Sequence, residues 1–283
     1  MKFHHGDILA WTRIARMGAA MVLTLLLGVL VGAVLGLTGA GGGILAVPAL
    51  MASQGWSVPQ AAPVALLAVA AGAALGAWEG WRRGEVRYRA AAWMALCGLP
   101  GSALGARAAH LLPAGWLAAG FALVLLIVAW RAWSGAGRQA RAGDGALCRV
   151  RPETGRLAWT PASIAALAGV GALTGLLTGL LGVGGGFVIV PALRRLTDLG
   201  MHAIVSTSLL VIALVGGGSA LAAYWHGAHP PVLPALAFVA AALAGMAAGR
   251  WLIRRLAQRQ VARGFALLAA GVAAAMLYHA VVG

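Results

Sequence analysis

The sequence is poor in charged residues and especially poor in acidic ones. Aspartate, glutamate, lysine and arginine make up 10% of the 283 residues, and Asp and Glu together number six. Soluble domains carry about 25% charged residues, so a chain with 61% hydrophobic residues is not typical of a soluble globular protein. Several apolar stretches, of which residues 17–38 are the first, are long enough to cross a bilayer core of about 30 Å. The composition therefore predicts an integral membrane protein.

Cysteine is also scarce, and no acidic residue falls clearly in the middle of a predicted span. The two cysteines, Cys97 and Cys148, provide neither a disulfide framework nor the spacing of a metal site. No aspartate pair, histidine cluster or Ser/His/Asp set falls at mid-membrane depth, which argues against a membrane-embedded enzyme. The same scarcity weakens a mechanism that couples a proton or sodium ion through a carboxylate. We expect no cofactor and no metal.

The positive charges lie mostly in short loops between apolar stretches. The net charge of +15 at pH 7 comes mainly from arginine. Because arginines in short loops set the orientation of membrane spans, this charge does not indicate a nucleic-acid-binding surface. A basic tail with Lys2, Arg13 and Arg16 precedes the first apolar stretch, without a small-residue cleavage site. We therefore expect that stretch to remain as the first span.

One glycine-rich stretch occurs twice, and the rest of the chain is arranged around it. Residues 28–50 and 171–193 superimpose at an offset of 143, with glycines at 28/171, 32/175, 36/179, 39/182 and 41–43/184–186. Both copies end in the tetrapeptide Val-Pro-Ala-Leu. Later in the repeat the offset becomes 144, as at Phe121 and Phe265. A repeat of this length indicates an internal duplication.

Each copy has three parts with different physical consequences. Glycine at every fourth position leaves a flat stripe on one helix face, so that another helix can approach closely. The Gly-x-Gly-Gly-Gly tip cannot continue a regular helix, because each glycine costs about 1 kcal/mol there. A short apolar run with a proline follows and predicts a half-helix, at residues 44–52 in the first copy and 187–196 in the second. The start of such a half-helix presents free N–H groups and a positive dipole end, which attract an anion.

Two interpretations of the tips stay open on this pattern. The tip glycines either pack helices, as the striped glycines do, or form a ligand site. Three adjacent glycines weaken a helix more than packing requires, and the Gly-x-Gly-Gly-Gly tip occurs twice. The pattern therefore favours a ligand site.

The duplication divides the chain into three parts. The first transmembrane repeat covers residues 1–133, a polar cytoplasmic linker covers 134–158, and the second transmembrane repeat covers 159–283. The linker is expected to be solvated and without activity. The predicted long helices lie at 17–38, 59–81, 90–112, 113–133, 160–181, 203–225, 231–253 and 261–282. The predicted fold is an all-α polytopic membrane protein with two inverted repeats, each a glycine-tipped broken or re-entrant helix pair plus three transmembrane helices.

The distribution of arginine predicts the orientation of the repeats. The arginine-rich segments 82–89, 131–156 and 250–263 should face the cytoplasm. Corresponding loops then fall on opposite faces, as inverted repeats require. Each repeat combines three full spans with either a hairpin that dips in and returns or a helix pair that crosses twice. In both arrangements the two tips could approach each other near the midplane. This topology puts the basic N-terminal tail outside, against the positive-inside rule. If the tail is inside instead, the first apolar helix is a full span and the inversion is less regular.

The doubled tips resemble the TauE/SafE family of membrane permeases, also called the sulfite exporter or toluenesulfonate-uptake permease family. In that family a span with Thr-Ser-Leu often follows the motif, and the second repeat has Thr207-Ser208-Leu209. The first repeat departs from the pattern, with Pro63-Val64-Ala65 in place of the hydroxyl cluster. The resemblance covers nearly the whole chain. It implies export or uptake of sulfite, an organosulfonate or a related sulfur compound.

The tip pattern and the resemblance together predict a substrate site built from backbone N–H groups and hydroxyls. Its candidate residues are Thr38, Gly41, Gly42, Gly43, Gly184, Gly185, Gly186, Ser206, Thr207 and Ser208. The alternative for the three last hydroxyls is a bond to a carbonyl of their own helix. His202, which begins the same span, is the candidate for proton coupling, because histidine is the residue type that proteins use as a pH switch. Glu79 and Arg107 are expected to reach the interface from span ends.

The function expected from these features is that of a secondary permease. It would move a small anion, sulfite or an organosulfonate first of all, across the bacterial cytoplasmic (inner) membrane by alternating access. The expected partners are the small anionic substrate and the lipid bilayer, and the glycine–alanine helix faces also permit a homodimer. A channel-like anion pore and a structural membrane protein that transports nothing are the alternatives.

Overall fold

The computed structural model describes residues 5–39, 42–135, 148, 158–228, 230–252 and 258–282. The described residues are helical apart from turns, short connections and one isolated bridge between Cys148 and Thr197. The helices are α1 His5–Thr38, α2 Ala46–Gln54, α3 Val58–Arg82, α4 Tyr88–Leu111, α5 Ala114–Gly135, α6 Pro161–Leu181, α7 Gly186–Leu196, α8 Met201–Trp225, α9 Val232–Leu252 and α10 Gln258–Val282. A 3₁₀ turn at Gly42–Leu45 directly precedes α2. The all-α class predicted from the sequence is confirmed.

Most of the helices are long and apolar enough to cross a membrane. Within the described ranges, seven helices meet this standard, namely α1, α3, α5, α6, α8, α9 and α10. Helix α4, predicted as a span at 90–112, does not meet it. Its 24 residues give a length of about 36 Å, so its composition rather than its length sets it apart. The chain is therefore a multi-pass membrane protein.

Each glycine tip joins a long helix to a short one that folds back alongside it. The end of α2 returns to the level of Thr24 on α1, where Gln54 Nε2 donates a hydrogen bond of 2.7 Å to Thr24 Oγ1. In the second repeat, Gly185 before α7 packs against Thr174 and Thr178 of α6. Helices α2 and α7 have 9 and 11 residues, or at most about 17 Å at 1.5 Å per residue. Because a bilayer core is about 30 Å thick, these lengths favour a re-entrant hairpin over a pair that crosses twice.

The two repeats pack against each other through pairs of helices, one helix of each pair from each repeat. Helix α1 packs on α9, and its counterpart α6 packs on α4, while α3 packs on α8 and α5 on α10. The close crossings occur at the glycine stripes. A side chain on Gly32 would collide with the backbone of Ala242, and one on Gly175 with that of Gly98. The packing role of the stripes is confirmed, and the opposite membrane orientation of the repeats stays a prediction.

The linker contributes one described residue to the protein interior. Cys148 is fully buried, and its N–H donates a hydrogen bond of 2.8 Å to the carbonyl of Leu196 at the end of α7. Burial raises the pKa of the Cys148 thiol, and the carboxylate of Asp198 raises it further. At this residue the segment is buried rather than solvated as expected. Residues 136–147 and 149–157 lie outside the described residues, and the three-part division of the chain stays a prediction.

Candidate functional site

The two glycine tips meet between α3 and α8. A methyl group built on Gly43 would lie 2.8 Å from Cγ1 of Val69 and 3.2 Å from the carbonyl oxygen of Val183 in the other tip. One built on Gly184 would lie 3.1 Å from the same Val69 methyl and 3.4 Å from Cγ2 of Ile212. Val69 and Ile212 correspond by the repeat offset of 143 and lie near the midpoints of their helices. The tips approach each other as the sequence predicted.

The backbone of both tips takes a conformation that favours glycine. The φ angles are +74° at Gly39, +71° at Gly182, +74° at Gly184 and +66° at Gly185. Residues with a Cβ rarely adopt this left-handed region. Glycine is therefore required at these turns by conformation as well as by space. Gly41 lies outside the described residues.

The first tip is held by contacts within its own hairpin. Thr38 Oγ1 donates a hydrogen bond of 2.8 Å to the carbonyl of Val34 and accepts one of 3.0 Å from the N–H of Gly42. Gly42 also packs directly on the backbone of Leu35. These two predicted site residues therefore shape the turn. Gly43 is the described glycine of this tip that faces the second tip.

The second tip leaves backbone donors at the start of a helix. Helix α7 begins at Gly186, directly after Gly185 in the left-handed conformation. Val188 N–H donates a hydrogen bond of 3.0 Å to the carbonyl of Gly185. Among the described residues, the N–H groups of Gly186 and Phe187 have no such acceptor. Because unpaired N–H groups at a helix start carry the positive end of the dipole, they can hold an anion.

A buried hydroxyl beside this tip was missed by the sequence analysis. Thr174 on α6 is fully buried, and its Oγ1 has no hydrogen-bond partner among the described residues. A side chain on Gly185 would collide with Cγ2 of Thr174 and would lie 3.1 Å from Oγ1 of Thr178. Thr178 Oγ1 itself donates a 2.8 Å bond to the carbonyl of Thr174. Burying an unpaired hydroxyl costs about 1–3 kcal/mol, so Thr174 is a further candidate for ligand contact.

The hydroxyl cluster at the start of α8 is buried and already engaged. Ser206 Oγ donates a hydrogen bond of 3.0 Å to Oε2 of Glu85. Thr207 Oγ1 accepts a 3.0 Å bond from the N–H of Arg87. Ser208 Oγ donates a 2.8 Å bond to a carbonyl of its own helix, that of Val205. Two of these hydroxyls therefore anchor the α3–α4 connection, and the third follows the alternative that the sequence left open.

The cluster nevertheless lies between the two places where α8 contacts the tips. A methyl group on Gly39 would lie 2.7 Å from Cγ1 of Val205, and Ile212 contacts Gly184. The three hydroxyls fall within this stretch of the helix. Their assignment as substrate-binding residues stays a prediction.

An ion pair lies beside the first tip. Arg250 Nη1 on α9 is 2.7 Å from Oε1 of Glu79 on α3, with side chains 26% and 51% exposed. Arg250 Nη2 would lie 3.0 Å from a methyl group on Gly76, and Gly36 of α1 packs on the backbone of Arg250. Glu79 is thus paired across two helices, a contact that the expectation of interfacial snorkelling did not include. Sequence spacing gave no signal for a pair between such distant residues.

The candidate for proton coupling stands apart from the tips. His202 lies in the first turn of α8 with an exposed side chain. No described residue bonds to its ring, and its coupling role stays a prediction. The described residues contain no group of three His, Cys, Asp or Glu side chains that could hold a metal ion. The candidate site consists of backbone donors and hydroxyls, with Arg250 near the first tip and Arg87 beside the hydroxyl cluster.

Comparison of the sequence with known proteins identifies a family of transporters. Residues 24–276 match the family described as "Sulfite exporter TauE/SafE". Two relatives, each named "Probable membrane transporter protein" and both from Xylella fastidiosa, are 31% identical over 198 residues in strain Temecula1 and 199 in strain 9a5c. Each alignment covers 70% of this chain and 71% of the relative. No solved structure matches the chain. The match over most of its length shows that this chain belongs to the TauE/SafE family of membrane transporters.

Proposed function

We propose that this protein is a secondary permease for a small anion in the bacterial cytoplasmic membrane. The observation that carries the proposal is the meeting of the two glycine tips, with Gly43 against Val183 and with both Gly43 and Gly184 against Val69 of α3. This meeting places unpaired N–H groups of a helix start within a packed helical core. A broken helix at membrane depth is tolerated where it is enclosed by protein or lines a cavity. Alternating access around such a site is the mechanism expected for a repeat-built transporter.

A sulfur oxyanion such as sulfite, or an organosulfonate, fits this site best. Such anions need several hydrogen-bond donors and a positive potential. Backbone N–H groups at Gly186 and the hydroxyl of Thr174 provide donors without a tightly trapping pair of cations. The family description, which names a sulfite exporter, supports the same substrate class.

The charged side chains on the side of the first tip have no charged counterparts on the side of the second. Glu79, Glu85 and Arg250 have Ala222, Ala228 and Ala106 at the corresponding positions of the other repeat. These groups adjoin the arginine-rich α3–α4 connection, which the positive-inside rule assigns to the cytoplasm. We propose that the anion exchanges with the cytoplasm here, and an inside-negative potential would favour its outward movement.

Uptake into proteoliposomes tests this function. Purified protein is reconstituted, and the entry of sulfite, thiosulfate and sulfoacetate is measured with and without an imposed pH gradient. A permease gives saturable flux and counterflow for one of these anions, whereas a channel-like pore gives flux that neither saturates nor shows counterflow. Flux no greater than in empty liposomes for all three anions would contradict the proposal. A response to the pH gradient would connect transport to protons.

A further inference from the structure

A groove opens between α5 of the first repeat and α6 and α7 of the second. Its volume is about 340 Å³. Apolar side chains line most of it, including Val128, Leu177, Phe187 and Val188. Arg131 on α5 and Arg195 on α7 line its remaining part. The groove is thus apolar along its length and cationic where these two arginines lie.

The dimensions of the groove match one leaflet of a bilayer. Phe187 and Arg195 are separated by eight residues of α7, or about 12 Å. One leaflet contributes about 15 Å of hydrocarbon, half of the bilayer core. The groove therefore reaches from near the start of the half-helix to the interfacial region, with the arginines at the interfacial end. The exposed side chains of Trp130 and Trp133 beside Arg131 fit this depth, because tryptophan is enriched at membrane interfaces.

Within the described part of the chain, no acidic group neutralises the two arginines of the groove. Both side chains are exposed, and neither forms an ion pair or hydrogen bond with another described residue. No acidic side chain lines the groove among the described residues. Guanidinium groups bind phosphate through paired hydrogen bonds. The charge at this end of the groove is therefore complementary to a phosphodiester.

The corresponding place beside the first half-helix provides a comparison within the same chain. The positions that correspond to Arg131 and Arg195 hold Ala275 and Ala52. The wall also differs: Phe187 and Val188 are half-buried, whereas their counterparts Ile44 and Leu45 are 1% and 5% exposed. The half-buried wall and the arginines therefore occur together beside α7, whereas the corresponding wall beside α2 is buried and has alanines at both positions. Helix packing common to the two repeats does not explain them.

We propose that this groove binds an anionic phospholipid, with an acyl chain along α7 and the headgroup phosphate on Arg131 and Arg195. The lipid covers the apolar surface of Phe187 and Val188, whose counterparts Ile44 and Leu45 are buried by side chains of the protein itself. Because the groove borders the half-helix whose start forms the second tip, the bound lipid also supports the position of α7. The proposal rests on the groove and its charges, and it holds whether or not the protein carries sulfur anions.

Native mass spectrometry of the purified full-length protein tests the site. The protein is taken from nanodiscs with equal amounts of phosphatidylglycerol and phosphatidylcholine, and the lipids that stay bound are counted. Wild-type protein is expected to retain phosphatidylglycerol in preference. The double variant Arg131→Ala/Arg195→Ala should bind it about thirtyfold more weakly, from the contribution of two interfacial arginines. Arg107→Ala, which removes an exposed arginine outside the groove, should bind it like the wild type.

Two further variants separate the groove from its charges. Ala192→Trp fills the groove and keeps both arginines, so retention of phosphatidylglycerol should fall. Ala52→Arg/Ala275→Arg adds the charges at the corresponding place beside α2, where Ile44 and Leu45 are buried, and should create no second site. Equal retention of the two lipids by the wild type, or unchanged retention by the double arginine variant, would overturn the proposal. So would full retention by Ala192→Trp or a second bound lipid in the Ala52→Arg/Ala275→Arg protein.

Discussion

Glu79 and Arg250 form an ion pair of 2.7 Å that joins α3 to α9 beside the first glycine tip. The corresponding residues of the opposite repeats are Ala222 and Ala106, so the pair has no counterpart at the second tip. The duplication therefore conserves the glycine framework of the two hairpins but places a cation beside one of them only. On the proposed function, an anion that leaves the tips on this side would pass near a guanidinium that is held by a carboxylate.

Neutralising Glu79 should strengthen anion binding. In Glu79→Gln the charge of Arg250 is no longer compensated, and we expect the KM for the transported anion to fall about two- to fivefold, the range of a partly exposed ion pair. Arg250→Gln should raise the KM by a similar factor. Initial rates of proteoliposome uptake measure both effects, and Asp198→Asn, which removes an exposed carboxylate outside the pair, should leave the KM unchanged. A KM that moves in the same direction in both variants would contradict an electrostatic role.

Replacing Thr174 by valine should separate stability from function. The substitution removes a buried hydroxyl that has no partner, so the free energy of unfolding should rise by about 1 kcal/mol. The KM for the anion should rise as well, because the hydroxyl is no longer available to the ligand. Ser53→Ala removes the other buried unpaired hydroxyl, at the far end of α2, and should stabilise without changing the KM. Thermal unfolding in detergent and uptake assays measure the two quantities, and an unchanged KM in Thr174→Val would show that this hydroxyl does not contact the anion.

The glycine stripes should be intolerant of even one methyl group. Alanine at Gly175 would collide with the carbonyl of Gly98 where α6 crosses α4, and overpacking of this kind costs roughly 1–3 kcal/mol. We therefore expect Gly175→Ala to lower the melting temperature and the yield of monodisperse protein. Gly169→Ala is the matched control, because Gly169 lies on the same helix with nothing within 4 Å of an added methyl. That variant should be as stable as the wild type or slightly more so, since alanine favours helix.

Cys148 should react slowly with thiol reagents. The thiol is fully buried, and burial together with the carboxylate of Asp198 raises its pKa. A raised pKa leaves less thiolate at neutral pH, so labelling by maleimide in a Cys97→Ser background should rise only at higher pH than for a free cysteine. Asp198→Asn should shift this pH profile back toward lower pH. A profile like that of an exposed cysteine would contradict the buried position against α7.

The glycine and proline spacing was sufficient to predict the tips, the half-helices and their approach. These features are local: the Gly-x-Gly-Gly-Gly pattern interrupts the helix in both copies, and the same pattern at an offset of 143 implies a second hairpin of the same kind. The glycine run 216–218, which lacks the preceding Gly-x, lies inside α8 without interrupting it. The half-helix predicted at 187–196 lies at Gly186–Leu196 in the structure. The one predicted at 44–52 begins as a 3₁₀ turn and ends at Gln54.

The roles of individual polar residues could not be predicted in the same way. Ser206 bonds to Glu85, 121 residues away, and Arg250 pairs with Glu79 from the other repeat. Contacts between such distant residues leave no periodic signal in the sequence. Nothing in the local pattern distinguishes the role of Gly42, which packs on its own hairpin, from that of Gly43, which faces the second tip. In the sequence Thr174 is one of several threonines in apolar helices. Its position against Gly185, directly before α7, is apparent only in the structure.

The most direct test of the account compares sulfite uptake by wild-type protein, Gly184→Ala and Gly84→Ala in proteoliposomes. Both glycines have left-handed backbone, with φ of +74° and +71°, so alanine strains each by about 1–2 kcal/mol. An added methyl at Gly184 lies 3.1 Å from Val69 where the tips meet, whereas at Gly84 nothing lies within 4 Å. We predict that Gly184→Ala lowers saturable uptake at least about tenfold, while Gly84→Ala transports like the wild type. A tenfold loss is the effect of losing a charge-assisted hydrogen bond to the anion. Normal uptake by Gly184→Ala, or an equal loss in both variants, would contradict the claim that the glycine tips bind the transported anion.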